Sequence, residues 1–225
     1  LEDYYIYTFT PGLSDINLEY EKGLMVTYGT NFGTTIVAEV VNGNGIGEAE
    51  ERWRFDKDKY KDVMGRVSQD IGESFRIGAF AYRGKEKLLK GAEIPNVNEA
   101  FLWGPDLSIS YQKKLQLNLQ YLRRSDSRVL LQNGGSYDEY KDVETQGAIG
   151  ELIFTPQGDR SRWYLVGLYN WADSDLDSYD FQSATFHAGY VLRRNVRLIS
   201  EFTYRFETDA SEKFWRTSLG FVAAF

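Results

Sequence analysis

The sequence contains no cysteine and a single histidine, His187. The missing cysteines exclude disulfides, thiolate metal sites, cysteine nucleophiles and covalent haem attachment through a Cys-x-x-Cys-His motif. A single histidine excludes metal centres that are built from several imidazoles. We therefore predict neither a metal site nor a cofactor for this chain.

Long hydrophobic runs and an excess of basic residues are missing as well. No stretch reaches the roughly 18–20 apolar residues of a membrane-spanning helix, and no signal peptide is recognisable. The formal net charge is −7. This charge argues against a nucleic-acid partner, because nonspecific binding to nucleic acid needs a basic face.

What the sequence does contain is a period-two alternation of apolar and polar residues along most of its length. In 114–124 the apolar set is Leu115, Leu117, Leu119 and Tyr121, and the polar set is Gln116, Asn118, Gln120 and Arg124. Because side chains alternate across a strand, each such segment has one apolar and one polar face. The pattern predicts about twelve strands, at 3–10, 16–30, 34–43, 60–70, 74–84, 104–112, 114–124, 143–155, 160–172, 181–192, 195–207 and 212–225.

The predicted connections are of two alternating kinds. Short turns alternate with longer polar loops at 42–60, 84–104, 124–144, 173–179 and 208–212. Antiparallel strands with short turns at one end and long loops at the other are typical of a transmembrane β-barrel. We therefore predict an all-β, antiparallel up-and-down barrel that forms a single domain over residues 1–225.

A soluble β-sandwich or a lipocalin-like barrel is the alternative architecture. Two features favour the membrane. Many predicted strands have 10–14 residues, above the usual five or six of globular strands. Aromatic residues also cluster near the ends of the apolar faces, as in the interfacial girdles of membrane barrels; we assign Tyr121, Trp163, Trp171, Tyr204 and Trp215 to such girdles.

The last strand carries a further signal in "TSLGFVAAF", residues 217–225. Its apolar positions and its final aromatic residue resemble the carboxy-terminal insertion signal of bacterial outer-membrane proteins, through Leu219, Gly220, Phe221 and Phe225. This resemblance implies that the outer-membrane assembly machinery binds the last strand. Ala223 departs from it, because an aromatic residue is commoner at that position.

The segments "VVNGNG", "FDKDKYKDVMGRVSQ" and "FLWGPDLSISY" resemble the uncharacterised and phosphate-selective-like porins of Gram-negative bacteria. The resemblance implies an outer-membrane location, with the lipid bilayer and lipopolysaccharide as partners. Because such porins are usually longer, it leaves open a barrel that is incomplete at its amino end. A homo-oligomer is also left open.

In this interpretation the polar faces line a pore. The predicted pore-lining residues are Arg66, Arg76, Gln116, Asn118, Gln120, Arg162, Arg197, Glu201, Arg205 and Arg216. The six arginines in this list and Arg124 carry seven positive charges. Four carboxylates oppose them, so the predicted lumen charge is +3; these are Glu39, Asp70, Glu151 and Glu201. Fixed positive charge favours anions, so we predict a porin for small hydrophilic solutes with a weak anion preference. The alternative is that these arginines pair with carboxylates and brace the wall.

Two other functions remain open. The barrel could be a sheath or scaffold for a partner such as a multihaem cytochrome, whose haem would belong to the other polypeptide. It could also be an outer-membrane hydrolase, for which His187 is the candidate general base. Thr185 and Gly189 share a face with His187 and give it a poor polar neighbourhood, so we predict a protein that is not an enzyme.

Overall fold

The computed structural model describes residues 23–42, 60–88, 96–133, 136–176, 180–193, 196–208 and 212–223. These residues form the strands β1 (Gly23–Gly29), β2 (Thr34–Val41), β3 (Asp62–Ile71), β4 (Phe75–Leu88), β5 (Asn96–Tyr111), β6 (Leu115–Asn133), β7 (Ser136–Phe154), β8 (Trp163–Ser174), β9 (Phe181–Arg193), β10 (Val196–Arg205) and β11 (Phe214–Ala223). A 3₁₀ turn at Gly158–Arg160 lies between β7 and β8. In the described part of the chain, no helix has the length and apolar character needed to cross a membrane.

All eleven strands belong to one sheet, and each pairs antiparallel with the next strand along the chain. The registers are continuous over most of each ladder, for example from Arg205 opposite Phe214 to Val196 opposite Ala223. Strands that are neighbours in sequence are therefore neighbours in space. The predicted all-β, antiparallel up-and-down fold is confirmed.

The connections at one end of the sheet are tight, and we call this the short-turn end. Between β5 and β6, Gln112 and Lys113 have φ angles of 51° and 55°. Two successive positive φ angles define a type I′ turn, whose twist matches that of the strands it joins. Between β1 and β2, Gly33 has a φ of 91° and its amide donates to the Thr30 carbonyl at 3.3 Å.

Eleven of the twelve predicted strands are confirmed, each within the error of a boundary prediction at its short-turn end. The predicted strand at 3–10, and residues 16–22 of the strand predicted at 16–30, lie outside the described residues. The strand predicted at 160–172 begins only at Trp163, because residues 158–160 form the 3₁₀ turn. At the opposite end, which we call the long-strand end, the predicted boundaries were wrong for β4 to β7.

The loops predicted at 84–104 and 124–144 are mostly strand. β4 continues to Leu88, and β5 begins at Asn96. β6 continues to Asn133, and β7 begins at Ser136. These segments are polar, yet their backbones keep the antiparallel ladder. With its 19 residues, β6 is roughly 60 Å long at about 3.3 Å per residue, well beyond the ~25 Å apolar band of a membrane barrel.

The two faces of the sheet differ in the opposite sense from a soluble protein. The inner face, defined by the side chains that the sheet buries, includes the polar residues Asp62, Arg124, Asp126, Thr145, Glu151, Asn170, Ser183, Thr185, His187, Glu201 and Thr203. The outer face exposes large apolar side chains on each described strand, among them Leu24, Val67, Ile77, Leu119, Leu152, Phe186, Phe202 and Leu219. Apolar surface this extensive is not left in water by a soluble domain.

Candidate functional site

The inner face is the candidate site, and the strand registers determine which side chains meet there. Asn118 on β6 lies opposite Glu151 on β7, and Glu201 on β10 lies opposite His187 on β9. The amide of Asn118 donates to the Glu151 carboxylate at 2.7 Å. Polar side chains on this face therefore bond across strands.

Nine of the ten predicted pore-lining residues occupy inner-face positions of the strands. These are Arg66, Arg76, Gln116, Asn118, Gln120, Arg197, Glu201, Arg205 and Arg216. The tenth, Arg162, lies in the turn immediately before β8, and its carbonyl accepts from the Val191 amide at 2.7 Å. Its assignment to a strand was wrong, because β8 starts one residue later.

The clearest interaction on the inner face joins Arg66 on β3 to Asp106 on β5, across the intervening β4. Both terminal guanidinium nitrogens donate to the carboxylate, at 2.7 and 2.8 Å. The position between them on β4 is Gly78, where an added Cβ would lie 2.7 Å from Asp106 Oδ2. A two-strand separation is bridged because glycine leaves the space above the sheet open.

Two further arginines are paired with carboxylates. Arg76 on β4 donates twice to Asp70 on β3, one of the bonds being 3.0 Å long. Arg124 on β6 donates to Asp126 two residues along the same strand, at 2.5 and 2.8 Å. The Arg124–Asp126 side chains are only 7% and 1% exposed, whereas those of Arg76 and Asp70 are 56% and 42% exposed.

The charge predicted for the inner face needs correction. The structure adds Asp62, Asp106 and Asp126 to the four carboxylates counted from the sequence. These seven acids outnumber the six counted arginines that lie on the strands, since Arg162 precedes β8, so the predicted excess of three positive charges among these residues is wrong. Asp126 was missed because residues 124–144 were interpreted as a loop. Asp106 follows Pro105, which obscured the alternation.

A different group of side chains fills the inner face of β8 to β10. His187 is fully buried; its ring stacks on Tyr164, with centroids 5.7 Å apart, and its Nδ1 lies 3.6 Å from Glu201 Oε2. The Tyr164 ring fits over Gly189, whose added Cβ would lie 2.1 Å from Cζ of that ring. Val166 and Leu168 continue this buried group along β8.

This environment bears on the hydrolase interpretation of His187. The sequence had suggested a poor polar neighbourhood, yet Glu201 and Tyr164 come from the two adjacent strands and face both ring nitrogens. The Tyr164 hydroxyl lies 3.5 Å from Nε2 and the ring has no exposed surface. A general base needs its nitrogen within reach of a substrate proton, whereas both ring nitrogens of His187 face protein groups and the ring is fully buried.

The predicted girdle residues Tyr121, Trp163, Trp171, Tyr204 and Trp215 all lie on the outer face. Tyr121 contacts Trp103 edge to face at 6.1 Å, and Trp163 contacts Phe154 in the same way at 5.8 Å. Trp163 lies near the short-turn end, and the other four lie toward the long-strand end. Their role as membrane anchors stays a prediction.

The predicted insertion signal is partly described. Leu219 and Phe221 on β11 point outward with 80% and 73% of their surface exposed. Gly220 faces inward, and a Cβ added there would lie 3.3 Å from the Ile199 side chain. Phe225 lies outside the described residues. Recognition of this strand by assembly machinery stays a prediction.

Two solved structures share this fold. A porin refined at 1.8 Å resolution superimposes with a TM-score of 0.65 at 13% sequence identity, over 97% of this chain and 66% of the porin. The outer-membrane channel DcaP of Acinetobacter baumannii gives a TM-score of 0.62 at 12% identity, over 89% of this chain and 61% of DcaP. The chain has a porin-type fold.

The porin-type sheet spans about two thirds of the length of these two structures. No protein-family model matches the sequence, and no curated protein matches it. At identities this low the likeness establishes the fold, and the function has to be argued from the residues themselves.

At its short-turn end the porin-type sheet lines an open cavity of about 710 Å³. The charged residues that line it are Lys113, Lys114, Asp159, Arg193 and Arg197. None of these four cations forms an ion pair with a described residue. Among the residues that the structure describes, no group of three His, Cys, Asp or Glu side chains is placed to hold a metal ion.

Proposed function

We propose that this chain forms the wall of an outer-membrane channel through which small hydrophilic solutes diffuse passively, with a weak preference for anions. The observation that carries the proposal is the polarity of the two faces, charged and hydrogen-bonded inside and apolar outside, on a porin-type sheet. Lipid solvates the outer face and water the inner one, which is the arrangement of membrane barrels.

This proposal includes the location and the partners. The wall lies in the outer membrane of a Gram-negative bacterium, where the bilayer and lipopolysaccharide contact its apolar face. The assembly machinery binds β11 through the signal that ends at Phe225. The short-turn end faces the periplasm, since short turns lie on that side in membrane barrels.

The anion preference is supported by cations that lack a carboxylate partner. Arg66, Arg76 and Arg124 are neutralised by neighbouring aspartates. The cavity at the short-turn end is different, because it has four cations against the single carboxylate of Asp159. Fixed positive charge beside an aqueous path lowers the barrier for anions. The proposed preference therefore depends on this mouth more than on the arginines midway along the strands.

Planar-bilayer recordings under a KCl gradient test the proposal. We expect discrete conductance steps and a reversal potential that indicates a chloride-to-potassium permeability ratio above one. Replacing Arg197 by Gln removes one cavity cation and should move the reversal potential toward zero. Arg160→Gln is the matched control, because Arg160 lies in the same end of the protein but does not line the cavity.

The two parts of the proposal fail separately. A protein that inserts into the bilayer but gives no conductance contradicts the channel. Conductance with a preference for potassium contradicts the anion preference and leaves the channel in place.

A further inference from the structure

The cavity at the short-turn end combines cations with an apolar wall. Besides its charged residues it is lined by Ile153 on β7, Val191 on β9 and Val222 on β11. All three are inner-face positions near the short-turn ends of their strands. Three strands therefore each contribute an aliphatic side chain to this cavity.

The cations reach the cavity from two separated parts of the sheet. Lys113 and Lys114 come from the turn between β5 and β6, whereas Arg193 and Arg197 come from the adjoining ends of β9 and β10. Val191 on β9 and Val222 on β11 lie beside the second pair, and Ile153 lies on β7, next to the strand that follows the first pair. One ligand in this space can therefore contact positive charge and apolar surface together.

Positive charge next to apolar surface favours anions with an apolar body over small hydrated anions. A small hydrated anion such as chloride or acetate interacts with the lysines and arginines but gains nothing from aliphatic side chains. An anion with an apolar body also removes hydrophobic surface from water, and this contribution grows with the area buried. A volume of about 710 Å³ is within the range of pockets that hold drug-sized organic molecules.

We propose that this cavity is a binding site for small organic anions that carry an apolar body, such as aromatic carboxylates. The site holds such a solute at the short-turn mouth by ion pairing with Lys113, Lys114, Arg193 or Arg197 while the apolar part lies against Ile153, Val191 and Val222. The inference rests on the proposed channel for its biological meaning, but binding itself does not require conduction.

The test compares two probes that share a carboxylate and differ in their apolar body, 2-naphthoate and acetate. Each is added to the wild-type protein in a planar bilayer, from either side, while the KCl current is recorded. We expect 2-naphthoate to block the current at a concentration at least tenfold below that of acetate, and more strongly from the short-turn side. Equal potency of the two probes overturns the inference.

Two variants separate the contributions. Val191→Thr keeps the shape but removes apolar surface, so it should weaken block by 2-naphthoate about threefold and leave acetate unchanged. Lys113→Gln combined with Lys114→Gln should weaken both probes. The Arg160→Gln control should weaken neither. An unchanged 2-naphthoate response in Val191→Thr and in the double variant places the binding elsewhere and overturns the inference.

Calorimetric titration of the detergent-solubilised protein keeps this test independent of the channel. If the bilayer shows no conductance, the proposed function fails, and the titration still decides the inference. Heat of binding for 2-naphthoate that is lost in the double lysine variant supports the site. If the protein conducts but 2-naphthoate blocks the current no better than acetate does, the proposed channel is supported and the proposed binding site is contradicted.

Discussion

The inner face is built differently in its two halves. Across β3 to β6 it is charged, and Arg66, Arg76 and Arg124 are each held by an aspartate. Across β8 and β9 it is occupied by the stacked pair of Tyr164 and His187 together with neutral polar and aliphatic side chains. The first half is held together by ion pairs, and the second by the packing of side chains.

This difference implies that substitutions on the inner face do not all destabilise the fold to the same extent. An ion pair depends on how far its charges are removed from water, because a buried charge that loses its partner is penalised far more than an exposed one. The stabilisation from a packed ring depends instead on how well the ring fits the space that its neighbours leave. Substitutions in the two halves should therefore fail for different reasons.

The largest effect is expected for Asp126→Asn in the charged half. It leaves the Arg124 guanidinium buried without its counter-charge, which should lower the free energy of unfolding by about 3–5 kcal/mol. Asp70→Asn is the matched control: it breaks the same kind of pair at an exposed place and should cost less than about 1 kcal/mol. Urea unfolding of the barrel refolded in detergent micelles measures both. Similar losses for the two variants would contradict the dependence on burial.

A smaller effect is expected for Gly189→Ala in the packed half. The new methyl group would lie 2.1 Å from Cζ of Tyr164, so the ring must leave its position beside His187. Overpacking of this kind costs about 1–3 kcal/mol. Gly167→Ala is the control, because an added Cβ there meets nothing within 4 Å. Equal unfolding midpoints for the two variants would show that the Tyr164 ring is not fixed by Gly189.

The smallest effect is expected for Gly78→Ala, which tests the same steric principle in the charged half. Its methyl group would approach Asp106 Oδ2 to 2.7 Å and Arg66 Nη2 to 2.8 Å. Both atoms end flexible side chains that can move aside, and alanine is favoured over glycine within a strand. The net loss should stay below about 1 kcal/mol, smaller than for Gly189→Ala in the same urea assay. A larger loss would mean that the Arg66–Asp106 pair is as rigid as a packed ring.

Much of the fold follows from the period-two alternation, which is a local property of each strand. The segment Leu115 to Tyr121 identifies its own apolar face without any knowledge of its neighbours. The ends of β6 and β7 could not be predicted in this way, because residues 124–144 have no period-two apolar stripe. Polar composition there resembles a loop, although the ladder continues to Asn133.

The candidate site was less accessible from the sequence because it depends on contacts between strands. Arg66 and Asp106 are forty positions apart in the sequence. They meet because the residue between them on β4, Gly78, has no side chain that would block their contact. The proximity of His187 to Tyr164 and Glu201 likewise requires the registers of two ladders. Lys113 and Lys114 look like ordinary turn residues until the turn is placed beside the ends of β9 and β10.

The count of strands restricts how this wall can be closed. Ten antiparallel pairings connect β1 to β11, so these two edge strands run in the same direction. A ladder made directly between them would be parallel, with the evenly spaced, slanted hydrogen bonds of that geometry. Closure in which every pairing is antiparallel instead requires an odd number of additional strands between the two edges. Among the described strands, closure by antiparallel pairing alone therefore carries a parity condition, in addition to the requirement that every backbone group inside a bilayer be hydrogen-bonded.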